Sequence, residues 1–192
     1  RRTDIPTYYS EWFLKRVRDG YVYVRNPMNT HQISKISLAP DVVDAIVFWT
    51  KNPAPMLSKL DALKDYMYYF QFTLNSYGAD AERNIPNKKD FVIPAFQRLS
   101  DLIGPERVIW RYDPIFLSKT YTIDYHISYY EKLAKRLSSY TKKCTISFLD
   151  FYHNTEKNMA SLVPTEFPAG KQERLAKSIA EIAHSYGLRV DS

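Results

Sequence analysis

The segment from Val108 to Asp113 could place two charged side chains where a ligand can reach them. Side chains alternate between the two faces of a strand, so Val108, Trp110 and Tyr112 fall on one face and Arg111 and Asp113 on the other. A guanidinium binds carboxylate or phosphate through paired hydrogen bonds, and a carboxylate can position groups or relay protons. We therefore predict that Arg111 binds substrate and that Asp113 has a catalytic role.

Four other predicted strand ends carry similar polar groups. Proline follows two of them, at 53 and 114, and holds the preceding residue extended. In (β/α) barrels the loops after the strands form the face that carries the active site. The candidate substrate-binding residues are Asp4, Asn52, Gln71, Thr73 and Arg111, and the candidate catalytic residues are Lys51, Asp113 and Asp150.

An internal network of ion pairs would explain the same polar residues without any ligand. In that interpretation Arg111 neutralises Asp113, and Lys51 pairs with Asp4 or Asp150. Both interpretations place the residues at strand ends, and they differ in whether a ligand binds there.

Apolar spacing of three and four predicts the helices that would position these strands. They are expected over 8–19, from 54, from 87 with a regular part beginning near Pro94, from Thr122, over 155–162 and over 170–186. Runs rich in β-branched and aromatic residues predict strands at 45–49, 68–74, 107–112, 145–149 and 189–190, with a hairpin formed by 21–25 and 32–37.

Alternation of strands and helices predicts a single α/β domain over 1–192 with mainly parallel strands. We expect a partial or truncated (β/α) barrel of the TIM type, with an open doubly wound sheet as the alternative fold. The chain has only five glycines and no G-x-G-x-x-G turn, which argues against a dinucleotide fold. The chain opens without Met and closes on a strand-like segment, so we expect a fragment of a longer protein.

The formal net charge of +6 favours anionic ligands through long-range attraction. The basic residues are scattered in ones and twos, so a small polar or anionic ligand is the preferred partner. A basic nucleic-acid-binding module that stacks bases on exposed tyrosines is the alternative.

Cysteine and histidine provide few candidates for metal or covalent chemistry. The one cysteine, Cys144, is expected to be a small buried residue away from the site, and a reducing cytoplasmic location is expected. The four histidines lack metal-ligand spacing; His126 and His184 are interpreted as surface or packing residues, and only His153 merits a test as acid or base. No segment is apolar enough for a membrane span.

Several strings at the strand ends resemble a bacterial family, domain-of-unknown-function family 1848. The likeness is carried by Arg2-Thr3-Asp4-Ile5-Pro6, Val47-Phe48-Trp49-Thr50-Lys51-Asn52-Pro53, Phe70-Gln71-Phe72-Thr73-Leu74, Arg107-Val108-Ile109-Trp110-Arg111-Tyr112-Asp113-Pro114 and Ser147-Phe148-Leu149-Asp150. Together these segments run along most of the chain.

The resemblance implies chemistry that the residues alone do not indicate. Members of that family are longer, and their C-terminal part carries a cysteine cluster similar to the one that holds the [4Fe–4S] cluster of radical S-adenosylmethionine enzymes. It thus implies an iron–sulfur, radical-type barrel enzyme that uses S-adenosylmethionine in its full-length form. Cys144 alone cannot ligate such a cluster, so no cofactor is expected within this chain.

Overall fold

A computed structural model describes residues 3–149, 162, 164–168 and 170–192 of the chain. The chain divides into two compact units, Arg1–Phe70 and Gln71–Ser192. The boundary falls within a strand, and each unit is described by itself below.

The elements alternate between helix and strand over most of the chain. The helices are α1 (Ile5–Tyr8), α2 (Ser10–Asp19), α3 (Ala54–Leu57), α4 (Ile93–Ile103), α5 (Ile123–Leu137) and α6 (Lys171–Ser185). Short 3-10 turns cover Leu60–Leu63 and Pro105–Arg107, and a π turn at Lys88–Val92 leads into α4. The strands are β1 (Tyr21–Arg25), β2 (Ile33–Ser37), β3 (Ile46–Thr50), β4 (Tyr68–Thr73), β5 (Val108–Ile115), β6 (Lys143–Phe148) and β7 (Arg189–Asp191).

Five strands form a parallel sheet in the sequential order β3-β4-β5-β6-β7, and β1 and β2 form a separate antiparallel pair. The parallel register places Arg111 beside Thr145 and Thr145 beside Asp191. Sequential order contains no reversal point, which is the feature that defines a doubly wound sheet. The fold class is therefore α/β with a parallel sheet, as predicted.

Barrel closure is the part of the fold prediction that the structure does not show. A barrel requires hydrogen bonds between its first and last strands. The described strands form no closed barrel.

Unit 1 builds its core from aromatic rings of strands and apolar residues of helices. Phe48 of β3 stacks on Phe70 of β4 with ring centroids 4.8 Å apart, and Phe13 of α2 meets Phe48 edge-on at 5.4 Å. Met56 and Leu63, in the predicted helical stripe that follows residue 54, are fully buried. These contacts explain why a short helix and a 3-10 turn suffice where one longer helix was expected.

Unit 2 packs its helices on one face of the strands. Phe72 of β4 contacts Phe96 of α4 at 4.9 Å, and Trp110 of β5 stacks on Tyr130 of α5 at 4.8 Å. Trp110 and Tyr112 are at most 1% exposed, which confirms the predicted helix-facing side of β5. The helices therefore cover the apolar face and leave the polar face of β5 as the other one.

Helix ends follow the predicted capping chemistry in most cases. The Thr122 hydroxyl accepts a hydrogen bond from Tyr125 N at 3.2 Å and starts α5, and Asn87 caps the turn before α4 by accepting from Asp90 N at 3.1 Å. Gly20 ends α2 with a φ of 75°, a conformation open to glycine. The regular part of α4 begins at Ile93, next to Pro94, as expected.

Two details of the helix predictions are wrong. The predicted helix over 8–19 is broken at Tyr9, whose φ of −134° is not helical. The apolar stripes also included residues that the structure leaves exposed, among them Trp12 (48%), Phe91 (65%) and Leu102 (53%). The helix predicted over 155–162 lies almost wholly outside the described residues.

Among the described residues, none of the helices is long and apolar enough to span a bilayer.

Candidate functional site

The candidate site of unit 2 lies on the polar face of its strands, opposite the helices. In β5 the backbone alternation that buries Trp110 and Tyr112 turns Arg111 and Asp113 to this face. Their side chains are 14% and 19% exposed, so both are largely buried yet reachable. Burial without full enclosure is the environment expected of a ligand-binding charge.

Arg111 is held in one orientation by residues of two strands. Its Nε donates to Asp113 Oδ2 at 2.8 Å and its Nη2 donates to the same oxygen at 2.5 Å. Its Nη1 donates to Gln71 Oε1 of β4 at 2.6 Å. The ion pair that we considered as the alternative without a ligand is thus present, and it fixes the plane of the guanidinium.

Asp113 connects this pair to the next strand and to the loop after β4. Its second oxygen, Oδ1, accepts a hydrogen bond from the Ser147 hydroxyl of β6. Its backbone N donates to Asn75 Oδ1 at 2.8 Å, and Asn75 Nδ2 donates back to the Asp113 carbonyl at 2.9 Å. The bond between Asp113 and Pro114 is cis. Asp113 is therefore located by its side chain and its backbone together.

The polar face continues across β6 and β7. The Thr145 hydroxyl donates to Asp191 Oδ1 at 2.7 Å, and the Lys143 ammonium contacts the other oxygen of Asp191. Slight burial acts to raise the pKa of Asp191, but the hydrogen bonds from Lys143 and Thr145 outweigh it, and the pKa is lowered. The positive charge of Arg111 contributes in the same direction. Four strands thus present linked polar groups on one face.

Behind the sheet, Tyr112 and His126 form a buried hydrogen-bonded chain. His126 Nε2 lies 2.9 Å from the Phe116 carbonyl, which can only accept, so this nitrogen carries the proton. The Tyr112 hydroxyl then donates to His126 Nδ1 at 2.8 Å and accepts from Ser76 at 2.7 Å. Burial lowers the pKa of His126 and keeps the imidazole neutral. His126 is a packing residue, one of the two expected roles.

An aromatic cluster locks the segment that follows Asp113. Tyr77 stacks on Phe116 at 4.5 Å, and its hydroxyl donates to the Pro114 carbonyl at 2.7 Å while accepting from Phe116 N at 3.1 Å. The Tyr121 hydroxyl donates to Asp80 Oδ1 at 2.5 Å, and burial raises its pKa to about 12. The strand end that carries Asp113 is therefore supported from the loop on either side of it.

Three of the predicted site residues lie together within unit 1. Asp4 Oδ2 accepts hydrogen bonds from Lys51 N at 2.9 Å and from the Thr50 hydroxyl at 3.1 Å, and its Oδ1 accepts from Thr7 N at 3.0 Å. The Thr7 hydroxyl donates to the Asn52 carbonyl at 2.8 Å. The Asp4 carboxylate thus caps α1 and ties it to the end of β3.

The tail of a strand was expected at Asp4, and the structure places a helix cap there instead. Asp4 is followed by the four-residue helix α1, whose N-terminal N–H groups its carboxylate satisfies. The side chains of Lys51 and Asn52 are half-buried at the exit of β3. Their catalytic and substrate-binding roles stay predictions.

The remaining predictions divide between unit 2 and the residues outside the description. Gln71 and Arg111 are in direct contact, and Arg111 contacts Asp113, whereas Thr73 is 6% exposed. Asp150 and His153 lie outside the described residues. The structure therefore brings three of the predicted unit 2 residues into one network.

Sequence reasoning missed Ser147, Thr145 and Asp191 as members of the polar face. The signal was available in β6, where apolar Cys144 and Ile146 alternate with the two hydroxyl residues. Charged residues had received more weight than hydroxyl residues, and the partners of β6 across the sheet could not be known.

The described residues do not provide a metal or cluster site. They contain no group of three or more His, Cys, Asp or Glu side chains suited to a metal ion. Cys144 is fully buried on the helix side of β6, and burial raises the pKa of its thiol to about 12. As the sequence indicated, it is a small buried residue away from the polar face.

Comparison with curated proteins and with solved structures gave no match. A family model described as "Domain of unknown function (DUF1848)" matches residues 1–192, the whole of the chain. The resemblance first seen in the strand-end strings extends from the first residue to the last, and the protein belongs to the DUF1848 family.

Proposed function

We propose that this protein is an enzyme acting on a small polar or anionic substrate that binds on the polar face of unit 2, beside Arg111. The partial barrel predicted from the sequence is part of the same proposal, because the interior of such a barrel is where a polar sheet face would meet its ligand.

The observation that carries the proposal is the connected polar network on the face opposite the helices. It runs from Gln71 through Arg111 and Asp113 to Ser147, across three neighbouring strands. A sheet face that only completed a core would be lined by apolar side chains, because buried polar groups are costly unless paired. The partial exposure of Arg111 and Asp113 adds support for ligand access.

Each residue of the network has a distinct part in this proposal. Arg111 binds a carboxylate or phosphate of the substrate, and Asp113 and Gln71 hold its guanidinium plane so that little ordering is needed on binding. Asp113 also orients the Ser147 hydroxyl. A proton-transfer role for Asp113 requires one of these hydrogen bonds to be exchanged for the substrate.

The iron–sulfur chemistry implied by the family resemblance does not fit the residues of this chain. A [4Fe–4S] cluster is held by several thiolates, whereas the sequence contains only Cys144, which is fully buried away from the polar face. We propose cluster binding and S-adenosylmethionine cleavage only for a longer form of the protein that carries further cysteines. Anaerobic reconstitution of that form tests it, and absence of the visible absorption of a cluster contradicts it.

Substrate binding is tested by ligand-observed NMR with a panel of small molecules. The panel contains dicarboxylates, tricarboxylates and phosphate esters, with neutral polyols of similar size as controls. We expect signal attenuation for a subset of the anions and none for the polyols, because a guanidinium discriminates by charge. Equal attenuation of neutral and anionic compounds, or none at all, contradicts the proposal.

A further inference from the structure

A second cavity of unit 2 lies between α5 and the π turn that leads into α4. Its volume is about 670 Å³, within the range of small-molecule sites. We call it the α4–α5 groove; its lining residues include Ile93, Leu133, Tyr129, Lys89, Lys132 and Lys135. Buried Ile93 and Leu133 provide an apolar floor, and the three lysines are exposed around it.

The charge around the α4–α5 groove is of one sign. Lys88 and Arg136 also line it, and none of the described residues that line it is acidic. Lys88 is engaged with the Tyr77 carbonyl and with Glu82, so its charge is partly compensated. The lysines at 89, 132 and 135 give the rim its positive potential, which favours an anion.

Two features of this arrangement are unfavourable in the protein alone. Lys132, Lys135 and Arg136 stand at spacings of three and four on one helix, where like charges repel. Lys88 and Lys89 precede α4 at its positive dipole end, where acidic groups are the favourable ones. The position of Lys135 and Arg136 near the C-terminal end of α5 is favourable, so the dipole accounts for only half of the cluster. A bound anion would offset both costs.

We propose that the α4–α5 groove is a binding site for a small phosphorylated or similarly anionic molecule with a flat apolar body. The anion would lie against the lysine rim, and the apolar body would cover Ile93 and Leu133. Asn75 and Ser76 also line the groove, so the ligand would contact the residue that anchors the Asp113 backbone. This site is separate from the polar face and does not depend on the function proposed for it.

Calorimetric titration with 1-naphthyl phosphate as the probe tests the groove. The controls are 1-naphthol, which lacks the charge, and inorganic phosphate, which lacks the apolar body. We expect the naphthyl phosphate to bind more tightly than either control and its affinity to fall as salt is added. Equal affinity for 1-naphthol, or no binding of the probe, overturns the proposal.

Two matched double variants locate the site. Lys132→Gln with Lys135→Gln should weaken binding by about tenfold, since each exposed charge contributes up to ~1 kcal/mol. Lys119→Gln with Lys142→Gln removes the same total charge from exposed positions elsewhere in unit 2 and should leave the affinity within about twofold. All four positions are exposed, and melting by circular dichroism verifies the fold. Equal losses in the two double variants overturn the proposal.

Two further arms separate this site from other anion-binding explanations. Arg111→Lys should not change the affinity for 1-naphthyl phosphate, and a loss there would assign the probe to the polar face instead. A single-stranded oligonucleotide should bind no more tightly than the probe. Much tighter oligonucleotide binding that is lost in the Lys132→Gln, Lys135→Gln variant would overturn the small-ligand assignment in favour of nucleic acid.

Discussion

Asp113 is the residue on which the hydrogen bonds of the candidate site converge. Its carboxylate accepts from Arg111 and Ser147, and its backbone exchanges two hydrogen bonds with Asn75. Because Arg111 and Asp113 are largely buried, loss of either partner leaves a charge with poor solvation. The pair is therefore required for stability whether or not a ligand binds, and stability alone cannot demonstrate function.

Replacing Arg111 by Met should destabilise the protein by about 3–5 kcal/mol, because the Asp113 carboxylate is left buried without its cation. Urea unfolding measures the change. Adding Asp113→Asn should recover part of the loss, since the amide carries no charge to desolvate. Arg98→Met, at an exposed position of α4, is the control and should change stability by less than about 0.5 kcal/mol. A double variant less stable than Arg111→Met would contradict this account of the pair.

His126 should make stability pH-dependent in the weakly acidic range. Burial lowers its folded-state pKa below the unfolded value near 6.5, so the unfolded state binds more protons between those two values. Stability is therefore complete above about pH 6.5 and is lost as the pH falls through the folded-state value, by up to ~1.4 kcal/mol per pH unit.

The variant His126→Gln isolates this contribution. Its unfolding free energy, measured in urea at several pH values from about 7.5 to 5, should fall less steeply with acid than that of the wild type. Parallel pH profiles for the two proteins would show that His126 does not titrate in this range.

The residue-level prediction of the site was limited by what a single strand reveals. Alternation along β5 was enough to place Arg111 and Asp113 on one face. It could not identify Ser147 or Asn75 as partners, because these come from other segments and their approach depends on strand register. Asp4 was misinterpreted as a strand end because the proline at position 6 suits an extended segment as well as a first helical turn.

At the scale of elements, α5 depends on its cap as the sequence predicts. Removing the Thr122 hydroxyl by Thr122→Ala should cost about 1 kcal/mol, since Tyr125 N then loses its acceptor. The matched control is Ser128→Ala at an exposed position inside α5, where alanine has the better helix propensity and should be neutral or slightly stabilising. Thermal unfolding of both variants measures the difference, and equal effects would contradict a capping role.

Strand positions were predicted to within a few residues because two signals agreed. Each predicted strand is rich in β-branched and aromatic residues and is followed by turn or capping residues. The helices were less accurate, since Trp12, Phe91 and Leu102 fit an apolar stripe and yet are exposed. Spacing determines which residues share a helix face, but it does not determine how wide a stripe the neighbouring strands cover.

At the scale of the whole molecule, alternation of strands and helices correctly predicted an α/β fold with a parallel sheet. Closure into a barrel could not be predicted in the same way. It depends on hydrogen bonds between strands at opposite ends of the sheet, and no local sequence pattern encodes them.

The net charge of +6 predicted an anionic partner but not its location. Basic residues that appear scattered along the chain are gathered by the fold at the α4–α5 groove, where segments around positions 88 and 132 meet. Arg111, by contrast, stands in a network with an acid partner. The two proposed anion sites therefore differ in kind, one being a rigid single guanidinium and the other a flexible lysine rim.

Calorimetry of the tightest-binding anion of the NMR panel, in wild type and in Arg111→Lys, tests the central claim most directly. Lysine keeps the charge but loses the planar fork that Asp113 and Gln71 orient, so the affinity should fall by about tenfold or more. Arg98→Lys at the exposed position should bind as the wild type does. An Arg111→Lys variant that is folded and binds the anion with unchanged affinity would contradict the claim that Arg111 holds the substrate.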